Sequence, residues 1–456
     1  MNTRSENQPA AVGAAGNESF VPFPKQAGDT VRPRWAWVER SVWTQRMLDR
    51  LDQSEEQTVW FSLWDKVCAE DNLHQAALEV ILNRGSAGVD GQTTGQFKTH
   101  WSEQVAWLRK ELLAGRYQPH PARRVWIEKL GSPEKRPLGI PAVRDRVVQA
   151  ALRHVLEPIF ERDFAEQSYG FRPGRGCLDA LRRVEELLLE GYTWVVDADL
   201  KSYFDTLPHD RLLAQVKHRA ADGRVLALLE SFLKAGVLET GRDWHPTECG
   251  TPQGAVISPM LANLYLNPLD HAMVAAGLEM VRYADDLVIL CRSQSQAQAA
   301  LDVLSAWVTS AGLTLHPTKT RIVHAAEAGG FDFLGYHFER YRDGSGKKWF
   351  RKKSEQKLRA SLRAKTSRLR QGSLSEIIAQ INPTLRGWHG YFRYSARGAL
   401  AGVDGWVRRR LRSIQRWRWG RKGSSRGREN VEMPNGWFAA AGLFSLETAS
   451  TTRVQS

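Results

Sequence analysis

One stretch constrains this chain more than any other. In Arg282-Tyr283-Ala284-Asp285-Asp286-Leu287-Val288-Ile289-Leu290 two adjacent carboxylates sit beside an apolar run, with Met280-Val281 on their other side. Acids inside a segment that otherwise favours burial predict two strands joined by a tight turn, the acids lying at the turn. A second acid-tipped strand comes far upstream, Trp194-Val195-Val196-Asp197-Ala198-Asp199-Leu200. A lone Asp-x-Asp or Asp-Asp commonly marks a solvated loop. Two such strands in this order, with helical segments between them, are a sharper signal.

The chemistry that wants this arrangement is nucleotide addition by two divalent cations about 3.5–4 Å apart. One cation activates a primer 3′-oxygen and the other holds the triphosphate. Magnesium takes hard oxygen ligands and keeps several waters, so two or three carboxylates on rigid, adjacent backbone suffice. Strand rigidity is expected to keep Asp199, Asp285 and Asp286 from pairing with nearby arginines instead.

Charge fits such a substrate. The 456 residues carry a net charge of +14, which predicts a polyanionic partner. No basic amphipathic stretch stands apart, so nucleic acid is favoured over a membrane surface. No apolar run is long enough to span a bilayer, and the N-terminus lacks a signal-peptide pattern. Cys68, Cys177, Cys249 and Cys291 form no CxxC pair, which suits a reducing, cytoplasmic location.

Composition and periodicity divide the chain. Residues 1–33, rich in Ala, Gly, Asn, Ser and Pro, predict a disordered tail. Residues 34–110 read as a helical N-terminal extension, with Met47, Leu48, Leu51, Trp60, Leu63, Trp64 and Val67 at helical spacing. Arg123–Ile127 and Arg136–Pro141, joined through Gly131-Ser132-Pro133, predict a basic β-hairpin. Helices are expected over Arg146–Phe164, Leu178–Glu190, His209–Lys217, Arg224–Ala235 and Gln296–Ala311, and a last strand pair around Phe331–Phe338. Beyond Tyr341 the composition turns basic. Residues 351–430 hold 22 Lys and Arg against 4 acids, on helical patterns seamed by Leu358, Leu362 and Leu369, with Trp and Arg interleaved over Trp406–Arg421.

Asp199-Leu200-Lys201-Ser202-Tyr203-Phe204-Asp205 and Tyr283-Ala284-Asp285-Asp286 resemble the two metal-binding motifs of reverse transcriptases. Gly250-Thr251-Pro252-Gln253-Gly254 resembles the family's proline-glutamine-glycine motif. Arg136-Pro137-Leu138-Gly139-Ile140-Pro141 and Ser168-Tyr169-Gly170-Phe171-Arg172-Pro173-Gly174-Arg175 resemble its fingers motifs, in the version found in group II intron-encoded reverse transcriptase/maturases. Ile381-Asn382-Pro383, Leu385-Arg386-Gly387-Trp388 and Gly390-Tyr391-Phe392 resemble the maturase region. The likeness extends over residues 35–445.

The resemblance implies an α+β, right-hand polymerase. Fingers and palm, built on antiparallel sheet, would occupy 111–340. A helical thumb/maturase domain would occupy 341–445, and 446–456 would be a tail. It implies two Mg²⁺ ions on Asp199, Asp285 and Asp286, with Mn²⁺ able to substitute. Phe204 would lie under the incoming sugar and exclude a ribose 2′-hydroxyl. Gln253 would touch the nucleotide, Lys129 and Arg136 would neutralise its triphosphate, and Lys319 would protonate the leaving pyrophosphate. RNA would meet Arg172, Arg175, Arg363, Arg368, Arg408, Arg409, Arg412 and Arg416, while Trp388 and Tyr391 are expected in the core. The implied partners are intron RNA, an RNA template with DNA primer, deoxynucleoside triphosphates and a DNA target; a homodimer stays open.

Many members continue into an endonuclease with His and Cys metal ligands. Residues 427–456 contain neither residue, so no such domain is expected. Two other readings compete: an RNA-binding splicing factor with little polymerase activity, and a reverse transcriptase of a retron or diversity-generating element. The full set Asp199, Asp285, Asp286, Gln253 and Phe204 argues against the first. The length of the basic helical region and the Leu385–Phe392 stretch argue against the second.

Overall fold

The structure is a computed structural model describing residues 34–54, 58–128, 135–239, 244–327, 329–342, 345–350, 352–367, 372–421 and 428–451. The expected tail 1–33, the hairpin tip 131–133, Lys129, Arg368 and Leu369 lie outside these residues. The chain divides near Gly335 into two compact units.

In the first unit, helices Gln45–Gln53, Trp64–Val67, Glu70–Leu82, Thr94–Thr99 and Trp101–Leu113 form the expected helical layer. Leu48, Leu51, Leu63 and Val67, read from helical spacing, are fully buried. These helices lean on Val143–Glu161, a helix buried around most of its circumference.

Eight strands are used below: β1 (Ala122–Glu128), β2 (Lys135–Ile140), β3 (Trp194–Asp199), β4 (Val237–Leu238), β5 (Trp244–His245), β6 (Glu279–Tyr283), β7 (Asp286–Cys291) and β8 (Arg321–His324). They make two four-stranded sheets, ordered β2-β1-β4-β5 and β6-β7-β3-β8. β1 and β2 are the predicted hairpin, Arg123 opposite Ile140 and Ile127 opposite Arg136. In the second sheet β3 lies between β7 and β8, antiparallel to both. Its Val195 and Val196 are fully buried, as continuous apolar runs with helices packed on the sheet require. The helices Cys177–Leu189, Ser258–Ala275 and Gln294–Ser310 all contact this sheet.

The second unit opens with the paired strands Tyr336–Arg342 and Ser345–Phe350 and continues with the helices Lys352–Lys365, Leu374–Phe392 and Arg397–Arg418. Leu358 and Leu362 are buried as the seam predicted. Trp388 and Tyr391 are half-buried in an aromatic cluster, Trp388 4.6 Å from Phe392 and Tyr391 5.8 Å from Tyr336. The expected tail at 446–456 is corrected over its first part. Leu446–Thr451 is a helix whose Leu446 is fully buried. Asp404 fixes its start by accepting hydrogen bonds from Leu446 N (3.0 Å) and Glu447 N (3.1 Å). Asn382, from the maturase-like motif, clips the segment before it, donating to Gly442 O (2.8 Å) and accepting from Phe444 N (2.9 Å).

Candidate active site

The predicted acidic hairpin is present. Tyr283 faces Asp286 across β6 and β7, leaving Ala284 and Asp285 as a two-residue turn. Ala284 takes the left-handed conformation (φ 58°) that such tight hairpins call for at a central position. Asp286 in turn faces Asp199 at the end of β3. Directly paired residues on neighbouring strands project to the same face, so Asp199 and Asp286 share one side of the sheet, with Asp285 at its rim.

Gly170 closes the turn from below. A Cβ there would come within 2.4 Å of Ala284 N and 2.9 Å of the Tyr283 carbonyl carbon, so only glycine lets the two backbones approach. The segment is held alongside β6 by Tyr169 N donating to Arg282 O and Arg282 N donating to Gln167 O, both at 2.9 Å.

Three further pieces meet the end of β3. The short helix Tyr203–Thr206 follows it directly, with Tyr203 buried and its hydroxyl on Ala262 O at 2.6 Å. Phe204 is half-buried, edge-on to Tyr203 at 5.5 Å. The Gly250–Gln253 loop docks here, Thr251 N donating to Phe204 O at 2.7 Å. Gly250 sits at φ 84°, and a Cβ on it would meet the Phe204 and Asp205 carbonyl oxygens at 2.7 Å. The same loop ties down the basic hairpin, since Gly139 N donates to Gln253 O at 2.8 Å. The structure thus draws together Asp199, Asp285, Asp286, Phe204, Gln253 and, through its charge on Asp285, Arg136.

Electrostatics sharpen the picture. Burial pushes the Asp285 carboxyl above its ordinary range, the neighbouring Asp199 charge pushes the same way, and Arg136 and Arg282 oppose them. Crowded carboxylates, one poorly hydrated, are a donor set that a hard divalent cation fits. Among the described residues no three His, Cys, Asp or Glu side chains close into a ready-made cage. The strand register sets Asp199 opposite Asp286, with Asp285 in the adjoining turn. Lys319 Nζ lies 2.8 Å from Asp199 Oδ2, a counter-ion of that carboxylate at the end of β3. Asp197 likewise meets Arg321 at 3.2 Å across β3 and β8.

The expected RNA-contacting arginines separate into two kinds. Arg172 is buried, paired with Glu161 at 2.8 Å and donating to Ala165 O (2.6 Å) and Ser168 O (2.7 Å). Arg412 is buried too, donating to Met433 O (2.8 Å) and Asn435 Oδ1 (3.0 Å), with its guanidinium 5.0 Å from the Phe438 ring centre. Arg416 pairs with buried Glu429. These three hold the fold, and their assignment to RNA is corrected. Arg175 is half-buried against Glu166. Arg363 and Arg409 are exposed and Arg408 is half-exposed.

Sequence reasoning missed the residues beneath the turn: Arg282, Asn263, Asp270 and Ser168. The available signal was Arg282 itself, a charge inside the apolar strand Met280-Val281-Arg282.

Residues 127–338 match the family described as reverse transcriptase (RNA-dependent DNA polymerase). Residues 355–431 match the group II intron, maturase-specific domain. Protein YkfC of Escherichia coli (strain K12) is 35% identical over 353 residues, covering 68% of this chain and 87% of that protein. Group II intron-encoded protein LtrA of Lactococcus lactis subsp. cremoris is 33% identical over 250 residues, 54% of this chain and 41% of LtrA. The fold and the acid-tipped sheet are those of an RNA-directed DNA polymerase. Within that class, the chain belongs to the group II intron reverse transcriptase/maturase family. Reverse transcriptases use divalent metal ions and bind nucleic acid. Among the described residues no helix is long and apolar enough to cross a membrane.

Proposed function

We propose that this chain copies RNA into DNA at the cleft beside the acidic turn, and that its basic helical unit holds intron RNA to assist splicing and mobility. The observation that carries the first part is the register that sets Asp199 opposite Asp286, with Asp285 at the turn between β6 and β7. Asp199, Asp285 and Asp286 would hold Mg²⁺, which would supply activation of a primer 3′-oxygen and neutralisation of triphosphate charge.

The chain's own groups do the rest. Arg136 offers a planar fork to phosphate oxygens near Asp285, and Lys129 a point charge. Phe204 sets a flat wall behind the sugar, so a deoxyribonucleoside triphosphate fits and a 2′-hydroxyl clashes. Gln253 lines the same pocket from a loop pinned to both Phe204 and the hairpin. Lys319 keeps Asp199 neutralised until a cation takes that place. On the helical unit, Arg363, Arg408 and Arg409 supply phosphate contacts to RNA.

The test is extension of a DNA primer on an RNA template with Mg²⁺ and deoxynucleoside triphosphates. The wild-type chain extends the primer. Asp285→Asn lowers the rate at least about a thousandfold, an effect of the size expected for losing a metal ligand. Its affinity for the primer–template, measured by filter binding, stays at the wild-type level because the basic surface is untouched. Extension by Asp285→Asn at the wild-type rate would refute the assignment.

A further inference from the structure

Arg282 has no exposed surface, and neither does Asp270 beside it. A guanidinium has five N–H donors in a rigid fork. Here all five are used. Nε donates to Asp270 Oδ1 at 2.7 Å and Nη2 to Asp270 Oδ2 at 2.5 Å. Nη2 also donates to Ser168 Oγ at 2.8 Å. Nη1 donates to Asn263 Oδ1 at 3.0 Å and to the Ala284 carbonyl at 2.9 Å. Asn263 uses its other end as well, donating from Nδ2 to Gly170 O at 2.6 Å. Its position seven residues before Asp270 puts both on one face of the helix Ser258–Ala275.

The network therefore joins three separate segments: a long buried helix, the Ser168–Gly170 segment and the acidic turn. Each joint is backbone or fully buried. A buried Arg–Asp pair adds little net stability, because lost hydration offsets the attraction. What it adds is direction. The Ala284 carbonyl belongs to the residue in the left-handed conformation, one peptide from Asp285. Repulsion between the acids around it pushes that turn open. One N–H of Arg282 on the carbonyl, with Gly170 pressed against the amide, opposes the opening.

We propose that Arg282, with Asp270 as its counter-ion and Asn263 as its second tether, is a positioning residue of the polymerase site that fixes the turn backbone so the Asp285 and Asp286 carboxylates are preset for divalent cations. This rests on the polymerase reading. Arg282 touches no substrate; it acts through the turn.

Arg282→Lys tests it. A lysine keeps a charge opposite Asp270 but cannot reach Ala284 O, Asn263 and Ser168 at once. Mn²⁺ binding to the full chain on primer–RNA template is measured by electron paramagnetic resonance, beside primer extension across a Mg²⁺ titration. The expected result is about tenfold weaker Mn²⁺ binding, a matching rise in half-saturating Mg²⁺, and primer–template affinity within about twofold of wild type. High Mg²⁺ should recover most of the rate. Asn263→Ala, which leaves the ion pair intact, should move both curves the same way by about threefold. If Arg282→Lys fails to fold, Asn263→Ala alone decides. Wild-type Mn²⁺ affinity and an unshifted Mg²⁺ curve in the folded variants would overturn the proposal, as would a rate loss equal at every Mg²⁺ concentration. A wild-type chain that binds Mn²⁺ but does not extend the primer would sink the polymerase reading instead, and the Mn²⁺ affinities would still judge Arg282.

Discussion

The two units use arginine in opposite surroundings. Around the acidic turn, the buried arginines are saturated: Arg282 meets four residues and Arg172 grips Glu161 and two carbonyls. In the basic helical unit, charge is dense and only some of it is structural. Arg412 and Arg409 lie three residues apart on one helix, yet Arg412 is buried on Met433 and Asn435 while Arg409 is exposed. The lesson is that a single charge in an apolar strand announces a structural role, whereas a crowd of charges hides which ones have it.

The sharpest way to break that comparison is to remove Arg412 and Arg409 separately. Arg412→Ala leaves the carbonyl of buried Met433 without its donor and strips a cation from Phe438. It should lower stability by about 3 kcal/mol in denaturant titration of the full chain. An unchanged midpoint would return Arg412 to the surface class.

A buried charge in the first unit gives a pH signature of slightly smaller expected size. Glu157 lies in the helix Val143–Glu161, and burial pushes its carboxyl up to about 7 despite Arg153 at 3.1 Å. Because folding raises this pKa, the group's contribution is full below its unfolded value near 4.5 and is lost as pH rises through 7. Glu157→Gln should abolish a decline of about 2–3 kcal/mol between pH 4.5 and 8. Arg153 stays paired with Glu79 at 2.8 Å in that variant, so folding is not at stake. A variant whose stability falls with pH as steeply as wild type would show the wrong group was chosen.

The smallest effect belongs to Arg409→Ala. Stability should shift by no more than about 0.5 kcal/mol, while the slope of log RNA affinity against log salt becomes shallower by about one. An unchanged salt slope would remove Arg409 from the RNA surface.

How much was legible beforehand follows the same division. The acidic hairpin and the strand ending in Asp199 could be read because apolar residues flank acids at strand spacing, and the helix His209–Lys217 has its expected bounds. The helix Ser258–Ala275 was not anticipated. Pro268 lies inside it, where proline normally argues against a helix, and burial over most of its surface leaves no amphipathic stripe to detect. Strands β4 and β5 are two residues each, too short for alternation to register. Arg172 was misread because its motif gives a charge but not the Glu161 and carbonyls that surround it. The contact of Lys319 with Asp199 joins residues 120 positions apart and has no local signature.

The most direct measurement is the position of a bound cation. Crystals of the full chain with primer, RNA template, a non-hydrolysable deoxynucleotide and Mn²⁺ should show anomalous scattering between the Asp199 and Asp285 carboxylates, with Lys319 released from Asp199. Mn²⁺ bound elsewhere, with Lys319 still on Asp199 beside an ordered primer end, would contradict it.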